Sequence, residues 1–277
     1  MARQLTSRFR NAFSNVVQRQ SRDLEELRRH WGTLEQRLMR RRRNCSAMIK
    51  DHNDPIHLPI DLLSPIGCTL DEVVHTRALA YLLNPKPAQP HGLGKDVLVA
   101  ILNKLPHGTG ASKLLRLLCG QTDIYVVPEY RWREDGFRDR SVSRCDIWIE
   151  IKSRKRAGLL VIENKIGAPD SDQFRWYEGK ARNWCRKHHK AASLLLYLTR
   201  DKRELTSSSN TEWVMFSYLE LASALRRVWL ERPEASGRAW LALYIASITG
   251  GLLGIDMSRV QTTELADIKM YLGEDLQ

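Results

Sequence analysis

Between residues 124 and 165 three β-rich runs follow one another: Ile124 to Trp132, Arg144 to Lys152 and Leu159 to Lys165. Only the charged, turn-like segments REDGFRDR and SRKRAG separate them. No other stretch constrains the fold as much, because consecutive strands with short connections can pair as antiparallel neighbours. A helical stretch from about 170 to 188 follows, then the apolar run Ala191 to Thr199, the polar loop TSSSN, a short strand Val214 to Ser217, and helices to the end. Upstream, helical spacing runs from Leu70 to Leu83 and stops at PKPAQP. Further helices are predicted at about 94 to 105 and near 110 to 119. This order predicts an α/β sheet with helices on its faces.

The third run, in the stretch GLLVIENKIG, raises a chemical question. Four apolar residues, Leu159 to Ile162, lead directly into Glu163, Asn164 and Lys165. Ionised groups at the end of a buried strand are costly unless paired or coordinated. Strand alternation places Glu163 and Lys165 on one face and Ile162 and Ile166 on the other. In the preceding run Asp146, Trp148 and Glu150 share a face, while Ile147, Ile149 and Ile151 form an apolar stripe. An antiparallel hairpin between the two runs sets Asp146 beside Glu163. Two carboxylates at short range repel, and a bound cation is the usual way to keep both ionised. An all-oxygen donor set suits Mg²⁺, with Mn²⁺ as a substitute. Lys165 could then orient or help deprotonate a metal-activated water for phosphodiester hydrolysis. An E-x-K pair alone is more often a plain ion pair at a sheet edge. Asp146, one hairpin away, shifts the balance towards a site.

Charge is unevenly spread. The formal net charge of +12 points to a polyanionic partner, nucleic acid ahead of an anionic membrane. Residues 1 to 43 carry twelve arginines and four acids, hence eight of those twelve charges. Phe13, Val17, Leu24, Leu27, Trp31, Leu34 and Leu38 form a heptad-like seam along a helix. Such a seam serves equally for packing on its own domain, for a homo-oligomer or for a protein partner. The expected organisation is an Arg-rich helical arm over 1–45 and a second domain over 46–277. The first 22 residues contain arginine and no acid, as transit peptides do, but the helical pattern continues without a break. Five cysteines, odd in number and without a CxxC pair, indicate neither a disulfide framework nor a zinc cluster, and fit a reducing cytoplasm. The uncharged stretch Ala239 to Ile255 is shorter than the roughly 20 residues a membrane span needs. It reads as a buried C-terminal helix ended by Gly250 and Gly251.

Asp146 followed by Glu163-Asn164-Lys165 at the end of the next strand resembles the signature of the PD-(D/E)XK nucleases, with Cys145 where the motif name has proline. IENKI followed by DSDQFRWY is similar to a bacterial branch of that superfamily, in which a helix bears Gln-x-x-x-Tyr, here Gln173 and Tyr177. LDEVVHTRALAYLLNP and HGLG resemble its N-terminal helix with Glu-x-x-His, and LLLYLT and FSYLEL continue the likeness, which runs from about 60 to 250. It implies a restriction-endonuclease-like αβββαβ core with a mixed sheet. It implies Asp146, Glu163 and the Asn164 carbonyl as metal ligands, Lys165 as the catalytic lysine, and Glu72 as a further candidate ligand. His75 stays open between metal site and core. Gln173 and Tyr177, one turn apart, are implied to face a groove and contact phosphate or base, with Arg175, Arg144 and Lys152 as flanking cations. The implied activity is a Mg²⁺-dependent deoxyribonuclease, DNA ahead of RNA, with a role in bacterial defence. The rival reading is a catalytically silent nucleic-acid-binding or scaffold protein that keeps the fold. The intact Asp, Glu and Lys argue against it.

Overall fold

The computed structural model describes residues 53–86, 91–131, 144–167, 173–188, 191–200, 212–255 and 264–272, with isolated positions 32, 36 and 257. The chain divides into two compact units, residues 1–50 with 257–265 and residues 51–256 with 266–277. The expected arm over 1–45 and its seam from Phe13 to Leu38 lie almost wholly outside the described residues. The second unit contains the sheet.

Its elements are α1 (Glu72–Leu83), α2 (Gly94–Asn103), α3 (Ala111–Leu118), β1 (Asp123–Arg131), β2 (Arg144–Lys152), β3 (Ala157–Lys165), α4 (Gln173–Lys187), β4 (Ala192–Thr199), β5 (Trp213–Ser217), α5 (Tyr218–Glu231) and α6 (Arg238–Ala246). A final helix, α7 (Glu264–Leu272), reaches this unit from Ala266 onward. Side-chain caps set two of the boundaries that matter for the site. The Asp71 carboxylate accepts from the Val73 and Val74 amides and starts α1. Ser217 and Glu220 close a reciprocal capping box that turns β5 directly into α5.

The sheet order is β1-β2-β3-β4-β5. β1, β2 and β3 are antiparallel neighbours, while β4 and β5 are added in parallel. The five-stranded mixed sheet with flanking helices is the α/β architecture expected. Central β3 is buried from Ala157 to Asn164, which explains its continuous apolar run. On one face Trp148, Leu159, Val161, Leu195 and Tyr197 pack against Phe174, Tyr177 and Ala181 of α4. Towards the other face, Gly158 lies under Leu114 and Leu117 of α3 so closely that a Cβ would fall 2.5 Å from a Leu114 methyl.

Outside the sheet, Asp54 is fully buried and joins distant parts of the unit. It accepts from Arg226 Nε at 2.6 Å, Tyr271 Oη at 2.7 Å and Ile56 N at 3.2 Å. Removing one partner of such a pair strands the other charge. Asp54→Ala is therefore expected to lower unfolding free energy by about 3–5 kcal/mol, read from urea unfolding curves. A change below 1 kcal/mol, on the order expected for an exposed ion pair, would remove the clamp from the account.

The stretch Ala239 to Ile255 departs from its sequence reading. It is neither one α-helix nor the last. α6 ends at Ala246, and a π-helical segment, Ser247–Leu252, carries the chain through both Gly250 and Gly251. A Cβ on Gly251 would lie 2.8 Å from Thr69 Cγ2, so this glycine serves a close approach. The turn out of the helix falls at Gly254, with φ +71°.

Candidate active site

The β2–β3 register pairs Ile147 with Ile162, and one further step brings Asp146 opposite Glu163. Asp146 Oδ2 accepts from the Asn164 amide at 2.8 Å across the hairpin. Glu163 is only 3% exposed. Its Oε2 is buried and has no hydrogen-bond partner among the described residues. Its Oε1 lies 3.5 Å from Lys165 Nζ, on the same face as alternation requires.

Electrostatics follow from this crowding. Burial, and then the neighbouring Asp146 carboxylate, push Glu163 up to about 8. Burial also raises Asp146, against the lowering effect of the Asn164 amide and Lys165. For Lys165, burial favours the neutral amine, but Glu163, Glu72 and Asp146 outweigh it and raise its pKa. The ammonium keeps its proton at neutral pH.

Asn164 is the hinge of the site. Its Nδ2 donates to the Glu72 carbonyl at 3.1 Å and lies 3.2 Å from Thr76 Oγ1, and its Oδ1 accepts from Tyr218 Oη at 2.9 Å. The side chain is thus pinned by α1 and α5 while its amide holds Asp146. The family resemblance points only to its carbonyl. Tyr218 follows β5 immediately and carries no local signal for this role.

Glu72 stands at the start of α1, and its carboxylate faces Lys165 and the backbone after β3. Oε1 accepts from Ile166 N at 2.9 Å, and Oε2 lies 3.6 Å from Lys165 Nζ. Among the described residues no group of three or more His, Cys, Asp and Glu side chains is placed to hold a metal ion. The carboxylates brought together across the hairpin are Asp146 and Glu163, with the Asn164 amide on Asp146 and Lys165 between Glu163 and Glu72. That set fits a hard divalent cation. It consists of oxygens, one of them orphaned, and burial raises both of its carboxylates despite Lys165 alongside.

Other expected site residues are placed differently. His75 is buried, with Nε2 2.9 Å from the Thr69 carbonyl and Nδ1 3.4 Å from Tyr244 Oη, and burial lowers its pKa. It is a neutral core histidine. Tyr177 is 1% exposed, and its hydroxyl donates to the Arg144 carbonyl at 2.6 Å. Its ring braces β2 from beneath; it does not open onto a groove. Gln173 begins α4, but its side chain lies outside the described residues, and Arg175 is exposed in the first turn.

Arg144 stays near the acids, two residues before Asp146, and pairs with Glu129 at 2.9 Å. Lys152 does not: six residues along β2 at about 3.3 Å each place it roughly 20 Å from Asp146. Glu129 reads in the sequence as an ordinary strand acid, yet it is the one described non-glycine residue at positive φ, +50°. It also holds Arg77 at 3.0 Å, so one carboxylate ties two guanidiniums beside the site.

A β-hairpin ending in paired acids and a lysine, backed by a mixed sheet, defines a hydrolase-like polar centre at a strand end. The family model of the PD-(D/E)XK nuclease superfamily matches residues 61–244, about two thirds of the sequence, and the chain belongs to that superfamily. Neither the curated proteins nor the solved structures contain a match. No helix among the described residues is long and apolar enough to cross a membrane.

Proposed function

We propose that this nuclease-family protein hydrolyses phosphodiester bonds of DNA in a Mg²⁺-dependent reaction at the β2–β3 end. The observation that carries the reading is Glu163, a buried carboxylate with an orphaned oxygen, set beside Asp146 and sharing its face with Lys165. Asp146, Glu163 and the Asn164 carbonyl would hold the ion. A bound Mg²⁺ supplies Lewis-acid activation of water and neutralises charge on the phosphoryl group.

The protein's own groups do the rest. Protonated Lys165 donates a hydrogen bond to the attacking water, or to the phosphoryl oxygen as charge grows there. Tyr218 and Thr76 fix Asn164, and Asn164 fixes Asp146. Arg144 and Arg77, held by Glu129, stand ready for neighbouring phosphates. Water oxygen attacks phosphorus as the bond from phosphorus to the departing sugar oxygen breaks; the attacking water gives up its proton to bulk water, and the sugar oxygen takes one up from solvent.

DNA is proposed from the superfamily and the positive charge. The test incubates the full chain with labelled linear and circular DNA and RNA, each with Mg²⁺, Mn²⁺ or EDTA. Cleavage of DNA with Mg²⁺ and none in EDTA is the expected result. Undiminished cutting in EDTA would refute the metal requirement, and preferential cutting of RNA would reassign the substrate.

A further inference from the structure

The far end of the β2–β3 hairpin opens onto a cleft of about 740 Å³. Arg116 from α3 and Lys152, Arg154, Lys155 and Arg156 from the hairpin line it. Lys152 is paired with Glu150, and the one acid in the lining, Asp123, lies 3.5 Å from Lys86 Nζ. Arg116, Arg154, Lys155 and Arg156 are exposed and have no ion pair among the described residues. Thr122 Oγ1 is buried at the same cleft without a hydrogen-bond partner among the described residues. Four uncompensated cations around a polar recess form a receptor for phosphate oxygens.

The cleft sits at the turn end of the sheet: α3 contributes from the face opposite Asp146, and Lys152 from the face that carries Asp146. Lys152 pairs with Asp123, Glu150 with Tyr125 and Trp148 with Val127, so these residues share the face that carries Asp146. Tyr125 and Val127, on edge strand β1, are 53% and 40% exposed, leaving that face open along the strand between the two ends. Lys152 Nζ sits 5.4 Å from the Tyr125 ring centre, at the cleft end of this path. The span of about 20 Å corresponds to roughly six base pairs at 3.4 Å per pair.

We infer that this basic cleft is a second backbone-binding site, which holds the phosphates of a polynucleotide about six base pairs from the bond being cut. The choice of polynucleotide as ligand rests on the nuclease reading. The turn suits mutation, because Ser153 N to Arg156 O at 2.9 Å and Arg156 N to Ser153 Oγ at 3.1 Å hold it independently of the cationic side chains.

The test compares the full chain with Arg154→Ala/Lys155→Ala/Arg156→Ala, and with a charge-matched control, Lys95→Ala/Arg227→Ala/Arg232→Ala, altered elsewhere. Binding of a fluorescein-labelled DNA hairpin with a fifteen-base-pair stem is followed by anisotropy in EDTA, across a salt series. The hairpin-turn variant is expected to raise Kd about tenfold or more at low salt. It should flatten the salt slope by about 0.9 for each phosphate no longer neutralised, while the control stays near wild type. Under Mg²⁺ the same variant should raise KM for this DNA with kcat within about twofold, as loss of uniform binding does. An unchanged Kd and slope, or an equal loss in the control, overturns the inference. Because binding is read without cleavage, a protein that never cuts but loses affinity only in the turn variant would sink the nuclease reading and leave the cleft standing.

Discussion

Asp146→Ala, Glu163→Ala and Lys165→Ala are each expected to lower cleavage by at least about a thousandfold, at the upper end of what losing one preorganised charge-stabilising group costs. The three act on one small volume. Asp146 and Glu163 meet across the hairpin, and Lys165 lies 3.5 Å from Glu163 on the same face. Folding should survive all three, because none fills the apolar core that Trp148, Leu159, Val161 and Tyr197 share with α4. Circular dichroism and the unfolding midpoint in EDTA check that the loss is chemical. Full activity in any one variant would remove that residue from the mechanism, and full activity in all three would remove the site.

The second large effect is on stability, and its sign is unusual for a carboxylate. Glu163 sits at about 8 in the folded protein against an ordinary 4.5. The folded state therefore holds this proton more tightly than the unfolded chain does. Its contribution to stability is complete below pH 4.5 and is lost as pH rises through 8, so the metal-free protein weakens across that window. Asp146, also raised, acts in the same direction. Glu163→Gln removes the titration and should leave the metal-free protein more stable than wild type at pH 8.5 but not at pH 4.5. At about 1.4 kcal/mol per pKa unit, even half of the displacement gives a gain on the order of 2 kcal/mol. Urea unfolding at the two pH values in EDTA measures it. Mg²⁺ should raise the wild-type midpoint and leave that of Glu163→Gln nearly unmoved, since a cation stabilises only the state that holds it. Parallel pH profiles for the two proteins would contradict the burial argument.

Much of this site is legible in the sequence, for a definite physical reason. A strand has a period of two, so the faces of Asp146, Glu163 and Lys165 were decided by their spacing, and a short hairpin could bring Asp146 to Glu163 in one way only. The apolar run before Glu163 already marked β3 as a central strand. Depth and distance were not decided in this way. Periodicity cannot say that α4 closes over Tyr177 and turns it into a brace for β2, or that Lys152 belongs to the opposite end of the hairpin. Nor can it say that Glu72 answers Lys165 and the backbone after β3, across 94 residues. Asn164 shows the division most clearly. Its place after Glu163 is local, but its hold on Asp146 depends on Tyr218, 54 residues on, and on Thr76, 88 residues back. Local sequence determined which groups face which way; only the packing of distant helices, which no local pattern encodes, decided which of them are buried, paired and aimed at one another.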